Sequence, residues 1–200
     1  MTDVVAVFDF DKTLSTRDNV VPYLVAVTGR RRARVALVRA APLLARGQRE
    51  RAKLLAARVV FAGRNAAEVA VVANRHADEI VERHLRADVV ARLRWHQEQD
   101  HEVVIVSASF ADYLRPVADE LGIATVLATE LEVGSDGCLT GNLVGENVRG
   151  AEKARRLDEW LGDRTVTVWA YGDSRGDREL LARADHPERV GRARLAPAAD

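Results

Sequence analysis

The stretch VVAVFDFDKT, residues 4–13, decides the fold of this chain. Its first five residues are apolar and mostly β-branched, which is typical of a parallel strand buried on both faces. Asp9 and Asp11 follow this strand directly. Ligands of open α/β sheets bind in the crevice beyond the carboxyl ends of the strands. Two carboxylates there repel each other unless a cation or a proton lies between them, so the pair predicts a metal site, and carboxylate oxygens favour Mg²⁺.

The motif alone admits a second interpretation. Asp, Ser and Thr are common where a strand turns into a helix, and Thr13 or Ser15 would then serve only as a helix N-cap. The choice depends on whether other segments bring matching groups to the same edge of the sheet.

The composition excludes several classes of protein. Thirty basic and thirty acidic residues cancel, which argues against a dedicated nucleic-acid-binding protein. The single cysteine, Cys138, rules out an internal disulfide, and the five histidines show no zinc-binding spacing. No apolar run reaches the ~20 residues that span a bilayer, and the N-terminal residues are not typical of a signal peptide. We therefore expect a soluble, cytoplasmic protein.

The pattern of apolar residues changes along the chain. Within 18–87 apolar residues recur at helical spacing, in segments 19–27, 33–44, 50–61 and 66–84. The helix-breaking residues in or between these segments are Gly29, Pro42, Gly47 and Gly63. After that, helices (88–99, 112–121, 151–161, 177–184) alternate with strands (103–106, 124–128, 165–171) and a hairpin within 130–143. Repeated β-α units predict an α/β fold with a doubly wound parallel sheet. We expect residues 1–17 and 88–200 to form this core and 18–87 to form an inserted helical cap.

Three further segments carry reactive groups that would reach the same edge. Ser107 follows the strand 103–106, where a hydroxyl can donate to a phosphoryl oxygen or simply cap the next helix. Lys153 lies early in the helix 151–161. The segment GDSRGD, residues 172–177, follows the strand 165–171 with two more acids and with glycines that let the backbone approach a ligand. A second acidic turn after a second apolar strand favours a shared site over coincidence.

Lysine is scarce in this chain. Lys12, Lys53 and Lys153 are its only lysines, beside 27 arginines. Most lysines are solvated surface residues, but a lysine retained in an arginine-rich chain suits a position that requires a compact point charge. The scarcity adds modest support to Lys153 as a site residue.

In the order DFDKT, SAS, Lys153 and YGDSRGD, the chain resembles the haloacid dehalogenase-like hydrolases. More closely, it resembles their phosphoserine phosphatase-like subfamily, in which a helical cap is inserted just after the first motif. Each motif is weak alone, but the ordered set is specific and covers essentially the whole chain. The resemblance implies a Rossmann-like core with a helical cap, and a Mg²⁺-dependent phosphatase that hydrolyses a phosphate monoester.

The resemblance also implies roles for the matching residues. Asp9 would be the nucleophile that forms an aspartyl-phosphate, and Asp11 would be the general acid and base. The phosphoryl group would be held by Ser107 and Lys153, with Thr13 beside them to orient the loop. The Mg²⁺ site would be formed by Asp9, the main-chain carbonyl of Asp11, Asp173 and, from nearby, Asp177.

Two cap residues match positions that bind substrate in phosphoserine phosphatases. Asp18 lies near the place of a glutamate that binds the substrate amine, although it also suits the N-cap of the following helix. Arg58, in its Arg-Val context, matches an arginine that binds the substrate carboxylate. Gly176 stands where many of these enzymes have asparagine. The sequence therefore leaves phosphoserine open beside other phosphate monoesters.

The cap is unevenly charged. Residues 30–58 contain ten basic residues and one acid, Glu50. This segment is either a solvated helix face or a surface that attracts an anionic substrate or anionic lipid, where each cation adds ~1 kcal/mol. Apolar residues at 35–38 and 43–44 lie among the arginines. They keep a lipid-linked phosphate open as substrate and an anionic membrane open as a peripheral partner.

Three functions other than hydrolysis share part of this pattern. The letters DKT also resemble cation-pumping ATPases, in which Asp11 would be phosphorylated, but those pumps need membrane spans and a nucleotide domain that this sequence lacks. A phosphotransferase would use the same phospho-enzyme and pass the phosphate to an alcohol. A signalling receiver domain also uses paired acids and a lysine, but it is shorter and has no large helical insertion.

Overall fold

The computed structural model describes residues 3–191 and 193–196. Within these residues six strands form one sheet: β1 (Asp3–Phe8), β2 (Glu102–Phe110), β3 (Thr125–Val133), β4 (Leu139–Val144), β5 (Val166–Gly172) and β6 (His186–Arg189). The strand order is β4-β3-β2-β1-β5-β6, and only the β3–β4 hairpin is antiparallel. The predicted α/β fold with a doubly wound, mostly parallel sheet is confirmed.

The same ranges contain seven α-helices: α1 (Val20–Ala45), α2 (Arg49–Phe61), α3 (Ala66–Arg83), α4 (Ala87–Glu98), α5 (Ala111–Glu120), α6 (Ala151–Leu161) and α7 (Arg178–Arg183). The first three fall in the segment predicted as a cap. None of the described helices combines the length and the apolar character that a membrane crossing requires.

The central strand β1 is buried on both faces, as its unbroken apolar run predicts. Ala6 and Phe8 point into one apolar cluster, whereas Val5 and Val7 point into the other. Helices α3, α4 and α5 supply residues to the first cluster, and α6 and α7 supply residues to the second. Because successive side chains of a strand point to opposite faces, the four buried positions of β1, residues 5–8, must all be apolar.

The predicted break at Gly29 is present inside α1. Gly29 has φ 77° and ψ 159°, a non-helical conformation that glycine tolerates, so α1 consists of two helical parts that meet at a kink. Pro42 lies within the second part, as in the predicted segment 33–44, and does not end it. Strand β6 was not predicted; it is a short edge strand of sequence HPER, without the apolar alternation that identifies a strand.

The three adjacent strands β2, β1 and β5 end at one edge of the sheet. Phe8 of β1 pairs with Ile105 of β2 and Tyr171 of β5, so the residues that follow lie side by side. Asp9 remains attached to this edge through its main-chain N–H, which donates to the carbonyl of Tyr171 at 2.9 Å. The topology therefore brings three separated segments of the chain to one place.

Candidate active site

A buried lysine and three acids form the centre of this edge. Lys153, in the first turn of α6, donates hydrogen bonds to Asp9 Oδ1 and, at 2.5 Å, to Asp177 Oδ1. These three side chains are almost entirely buried, and Asp173 is half-buried beside them. Three carboxylates around one ammonium leave an excess of negative charge, which a bound cation would neutralise.

The environment shifts the protonation of both partners of Lys153. Burial raises the pKa of the Asp9 carboxyl, against the opposing attraction of the Lys153 ammonium. Burial acts in the same direction on Asp177, but the charge and the hydrogen bond of Lys153, with hydrogen bonds from Ser174, hold its pKa below the usual value. Ser174 donates to Asp177 Oδ2 from its main-chain nitrogen at 2.9 Å and from its hydroxyl at 2.7 Å. Asp177 is therefore the more firmly anionic of the two.

The acids fit a hard divalent cation. Asp9, Asp173 and Asp177 each offer one carboxylate oxygen, and these atoms lie within 4.8 Å of one another. Carboxylate oxygens are the ligands that Mg²⁺ prefers. The Asp11 carboxylate is outside this group and is bound elsewhere, which agrees with a role for its main-chain carbonyl rather than its side chain at the metal.

Asp11 is held by groups from two sides of the site. Its Oδ2 accepts a hydrogen bond from the Ser109 hydroxyl at 2.5 Å, and its Oδ1 accepts from the main-chain nitrogen and side-chain amide of Asn19 at 2.9 and 2.8 Å. Burial raises the pKa of the Asp11 carboxyl, and the negative charge of Asp18 acts in the same direction. A carboxyl group with a raised pKa is suited to donate a proton near neutral pH.

The predicted phosphate-binding hydroxyls have different surroundings. Thr13 is fully buried and donates to Asp9 Oδ2 at 3.1 Å, so it orients the first acid. Ser107 lines the cavity above the acids, and its hydroxyl oxygen accepts from the main-chain nitrogen of Ser109 at 3.1 Å. Lys12 lies between Asp11 and Thr13 with φ 62°, in the left-handed region that side chains rarely adopt. This sharp turn keeps both acids at one cavity.

Two glycines are required by close packing at the acidic turn. A Cβ on Gly172 would lie 2.6 Å from the Cβ of Asp177, so a larger residue would push that acid away from Lys153. A Cβ on Gly176 would lie 2.0 Å from Nη1 of Arg149. Arg149 also lines the cavity. Its guanidinium therefore occupies the space beside Gly176 that an asparagine side chain would need.

A cavity of about 380 Å³ covers these groups, a size typical of small-molecule sites. Its floor is formed by the polar residues of the core described above. The opposite wall belongs to the predicted cap and is mainly aliphatic, formed by Val20, Val21, Leu24, Leu37, Ala40, Leu44, Ala52 and Ala56.

Lys53 of α2 is the main polar residue of that wall, and the sequence did not identify it as a site residue. Its ammonium donates to the main-chain oxygen of Ala108 and, at 2.8 Å, to Asn147 Oδ1, and it lies 4.5 Å from the centre of the Phe110 ring. Asn147 in turn donates to Glu50 Oε1 at 3.0 Å. Burial lowers the pKa of this ammonium to about 7. Two side chains of α2 thus attach the wall to the core.

The structure places the two predicted cap residues differently. Asp18 lines the cavity, but its Oδ1 also accepts from the main-chain nitrogen of Val20 at 3.0 Å, as expected for a residue at a helix start. Arg58 is exposed and lies outside the cavity lining; its guanidinium donates to Asn142 Oδ1 at 3.1 and 3.3 Å. The structure therefore brings Asp18 to the site and leaves Arg58 away from it.

The residues at this site that were missed include Asn19, Lys53, Ser109 and Arg149. The scarcity of lysine was a sequence signal that could have identified Lys53. All three lysines of the chain line the cavity. Ser109 lies within the SAS motif but was not given a role of its own. Asn19 and Arg149 carried no separate sequence signal, since their roles arise only when the chain folds.

Comparison with known proteins gives one matching family model and several similar proteins. The family model described as haloacid dehalogenase-like hydrolase matches residues 6–182. Protein CicA of Caulobacter vibrioides (strain NA1000 / CB15N) is 36% identical over 182 residues, which cover 89% of this chain and 82% of that protein. A histidinol-phosphatase of Neisseria meningitidis serogroup C (strain 8013) is 35% identical over 101 residues, which cover 48% of this chain and 46% of that protein.

A solved structure supports the fold. The chain is similar to a substrate-bound phosphoserine phosphatase complex with a TM-score of 0.67 and 17% identity, over 92% of this chain and 84% of that one. At this identity the likeness concerns the arrangement of helices and strands, not the substrate.

Proposed function

The chain belongs to the haloacid dehalogenase-like hydrolases, and we propose that it is a phosphoserine phosphatase-like, Mg²⁺-dependent phosphatase that cleaves a phosphate monoester through an aspartyl-phosphate on Asp9. The observation that carries the proposal is the arrangement of Asp9, Asp173, Asp177 and Lys153 at the carboxyl ends of β1 and β5. This family membership also favours the enzyme over the receiver-domain alternative.

Asp9 is the proposed nucleophile. Hydrogen bonds from Lys153 and Thr13 hold its two carboxylate oxygens in a fixed orientation. In the first step a carboxylate oxygen of Asp9 bonds to phosphorus while the bond from phosphorus to the alcohol oxygen breaks. Asp11, in its protonated form, gives its proton to the departing alkoxide. The alcohol leaves, and the phosphoryl group stays on Asp9.

Asp11 then acts in the opposite direction. As a carboxylate it takes a proton from water, and the water oxygen bonds to phosphorus while the bond to Asp9 breaks. Inorganic phosphate leaves, and both acids return to their starting states. Hydrogen bonds from Ser109 and Asn19 keep Asp11 in one position through both steps. Such positioning is the main contribution a protein makes to phosphoryl transfer.

The remaining groups would balance charge. Lys153 and Ser107 would contact the phosphoryl oxygens, and Asp177 would hold Lys153 in place. Mg²⁺, held by Asp9, Asp173, Asp177 and the main-chain carbonyl of Asp11, would supply the additional positive charge that the transferring group requires.

Hydrolysis of p-nitrophenyl phosphate tests the proposal. We expect turnover with Mg²⁺ and its loss on chelation, with recovery when Mg²⁺ is restored. Asp173→Asn should raise the Mg²⁺ concentration needed for half-maximal activity, whereas Asp163→Asn, an exposed acid outside the site, should not. Turnover that is indifferent to chelation would contradict the metal-dependent mechanism. Product analysis with added alcohols distinguishes the two activities. A hydrolase still releases inorganic phosphate, whereas a phosphotransferase passes the phosphate to the alcohol.

A further inference from the structure

We infer that the alcohol part of the substrate is largely aliphatic, so that this site prefers phosphate monoesters of apolar alcohols. The inference rests on the proposed phosphatase activity and concerns the part of the cavity that the phosphoryl group does not fill. It comes from the chemical difference between the floor of the cavity and its cap wall.

The cap wall presents aliphatic side chains in a regular helical pattern. Leu37, Ala40 and Leu44 of α1 lie at i, i+3 and i+7, and Ala52 and Ala56 of α2 lie four residues apart. Residues at these spacings share one face of a helix. Three of the five are alanines, whose small side chains leave space for a ligand. An apolar group placed there would be removed from water without displacing a hydrogen bond.

Two of the three charged groups on the same wall are already engaged. The Lys53 ammonium is bound by the Ala108 carbonyl and Asn147, and the Asp18 carboxylate by the main-chain nitrogen of Val20. Arg49, which also lines the cavity, is exposed to solvent. A zwitterionic alcohol such as serine would bring an ammonium and a carboxylate against this wall, and burying such groups without partners is costly.

The aliphatic surface reaches the mouth of the cavity. Val21 and Leu44, which line it, are 40% and 46% exposed. An alkyl chain longer than the cavity would therefore leave it beside apolar side chains.

A chain-length series tests the inference. We would measure kcat/KM for ethyl, butyl, hexyl and octyl phosphate below their aggregation concentrations, with phosphoserine and p-nitrophenyl phosphate alongside. Each methylene that the wall covers should raise kcat/KM by up to about fourfold, mainly through KM, because apolar burial stabilises ground state and transition state alike. Octyl phosphate should exceed ethyl phosphate by at least about tenfold.

A matched pair of variants locates the effect. Leu44→Gln should lower the octyl-to-ethyl ratio several-fold, whereas Val71→Gln, on α3 and exposed to a similar extent at 51%, should not change it. A ratio near one in the wild type, or phosphoserine as the better substrate, would overturn the inference while leaving the phosphatase intact. No turnover of any ester, p-nitrophenyl phosphate included, would overturn both.

Discussion

The floor and the cap wall of the cavity differ in where their charged groups lie. On the floor, charged groups are buried and bound to one another, as in the contacts of Lys153 with Asp9 and Asp177. On the cap, most charge lies outside the cavity: the nine arginines of residues 30–58 are all exposed, and none forms a salt bridge within the described residues. Reaction chemistry thus resides in fixed groups, and selection of the substrate resides in a mostly apolar surface.

This difference predicts how substitutions will act. A change on the floor should abolish the reaction for every substrate, since each polar group there positions another. A change on the cap should instead alter which substrates bind, or where the protein binds, with a smaller effect. Lys53 connects the two regions and should give an intermediate result.

The largest effect is expected on the floor, at the nucleophile. Asp9→Asn should lower turnover by at least ~10⁴-fold, as for other enzymes that lose a covalent nucleophile. Brief incubation of the wild type with phosphate-labelled substrate followed by acid quenching should trap label on Asp9, which peptide mapping would identify. In the Asp11→Asn variant, Asp9 should remain available for labelling. Label that persists in Asp9→Asn but vanishes in Asp11→Asn would assign phosphorylation to Asp11 instead.

The floor was the more predictable region, for a physical reason. A short apolar run fixes where a buried strand ends, and the residues immediately after it must lie at the ligand-facing edge. Asp9 and Asp173 are placed this way, directly after β1 and β5, and Ser107 follows the apolar run 103–106 within β2. Neighbouring parallel strands then bring those positions together without further information.

The cap wall was less predictable, because which of its side chains face the cavity also depends on how each helix is rotated about its own axis. Arg58 lies five residues beyond Lys53, which places it about 140° around α2 from the face that meets the cavity. Alanines occupy much of the inner face and arginines lie on several sides of the helix, so hydrophobic contrast does not fix this rotation. The contacts of Asn19 and Ser109 with Asp11 likewise depend on how the cap and core meet.

An intermediate effect is expected where the two regions join. Lys53→Met keeps the length of the side chain but removes the ammonium that binds the Ala108 carbonyl and Asn147. Hydrogen bonds of a charged group contribute about 1.5–3 kcal/mol, so kcat/KM should fall by about ten- to hundredfold, mainly through KM. Arg51→Met, exposed on the same helix, should stay near the wild type. An unchanged KM in Lys53→Met would show that this attachment does not hold the wall in place.

The same pair of variants gives a pH test. The pKa of Lys53 is lowered from 10.5 to about 7 by burial, so the unfolded chain binds more protons than the folded one between these values. The free energy of unfolding of the wild type, relative to that of Lys53→Met, should therefore rise with pH over this interval. Below about pH 7 the lysine is charged in both states, and the cost of burying its charge is fully present. Urea denaturation at about pH 6, 8 and 9 measures the difference. A gap that does not change with pH would contradict a buried ammonium.

The smallest effect is expected on the outer face of the cap. We propose that its unpaired arginines and exposed aliphatic residues bind anionic membrane surfaces, where each cation contributes ~1 kcal/mol. Sedimentation with phosphatidylglycerol vesicles at low salt should show binding that weakens as salt rises and is absent with phosphatidylcholine. Arg39→Gln should weaken it by about fivefold, and Arg75→Gln, an equal loss of charge on α3, by clearly less. Arg39 lines the same shallow surface pocket as the exposed Val35, so this face is expected to make the contact. Equal losses in the two variants would indicate attraction by overall charge instead.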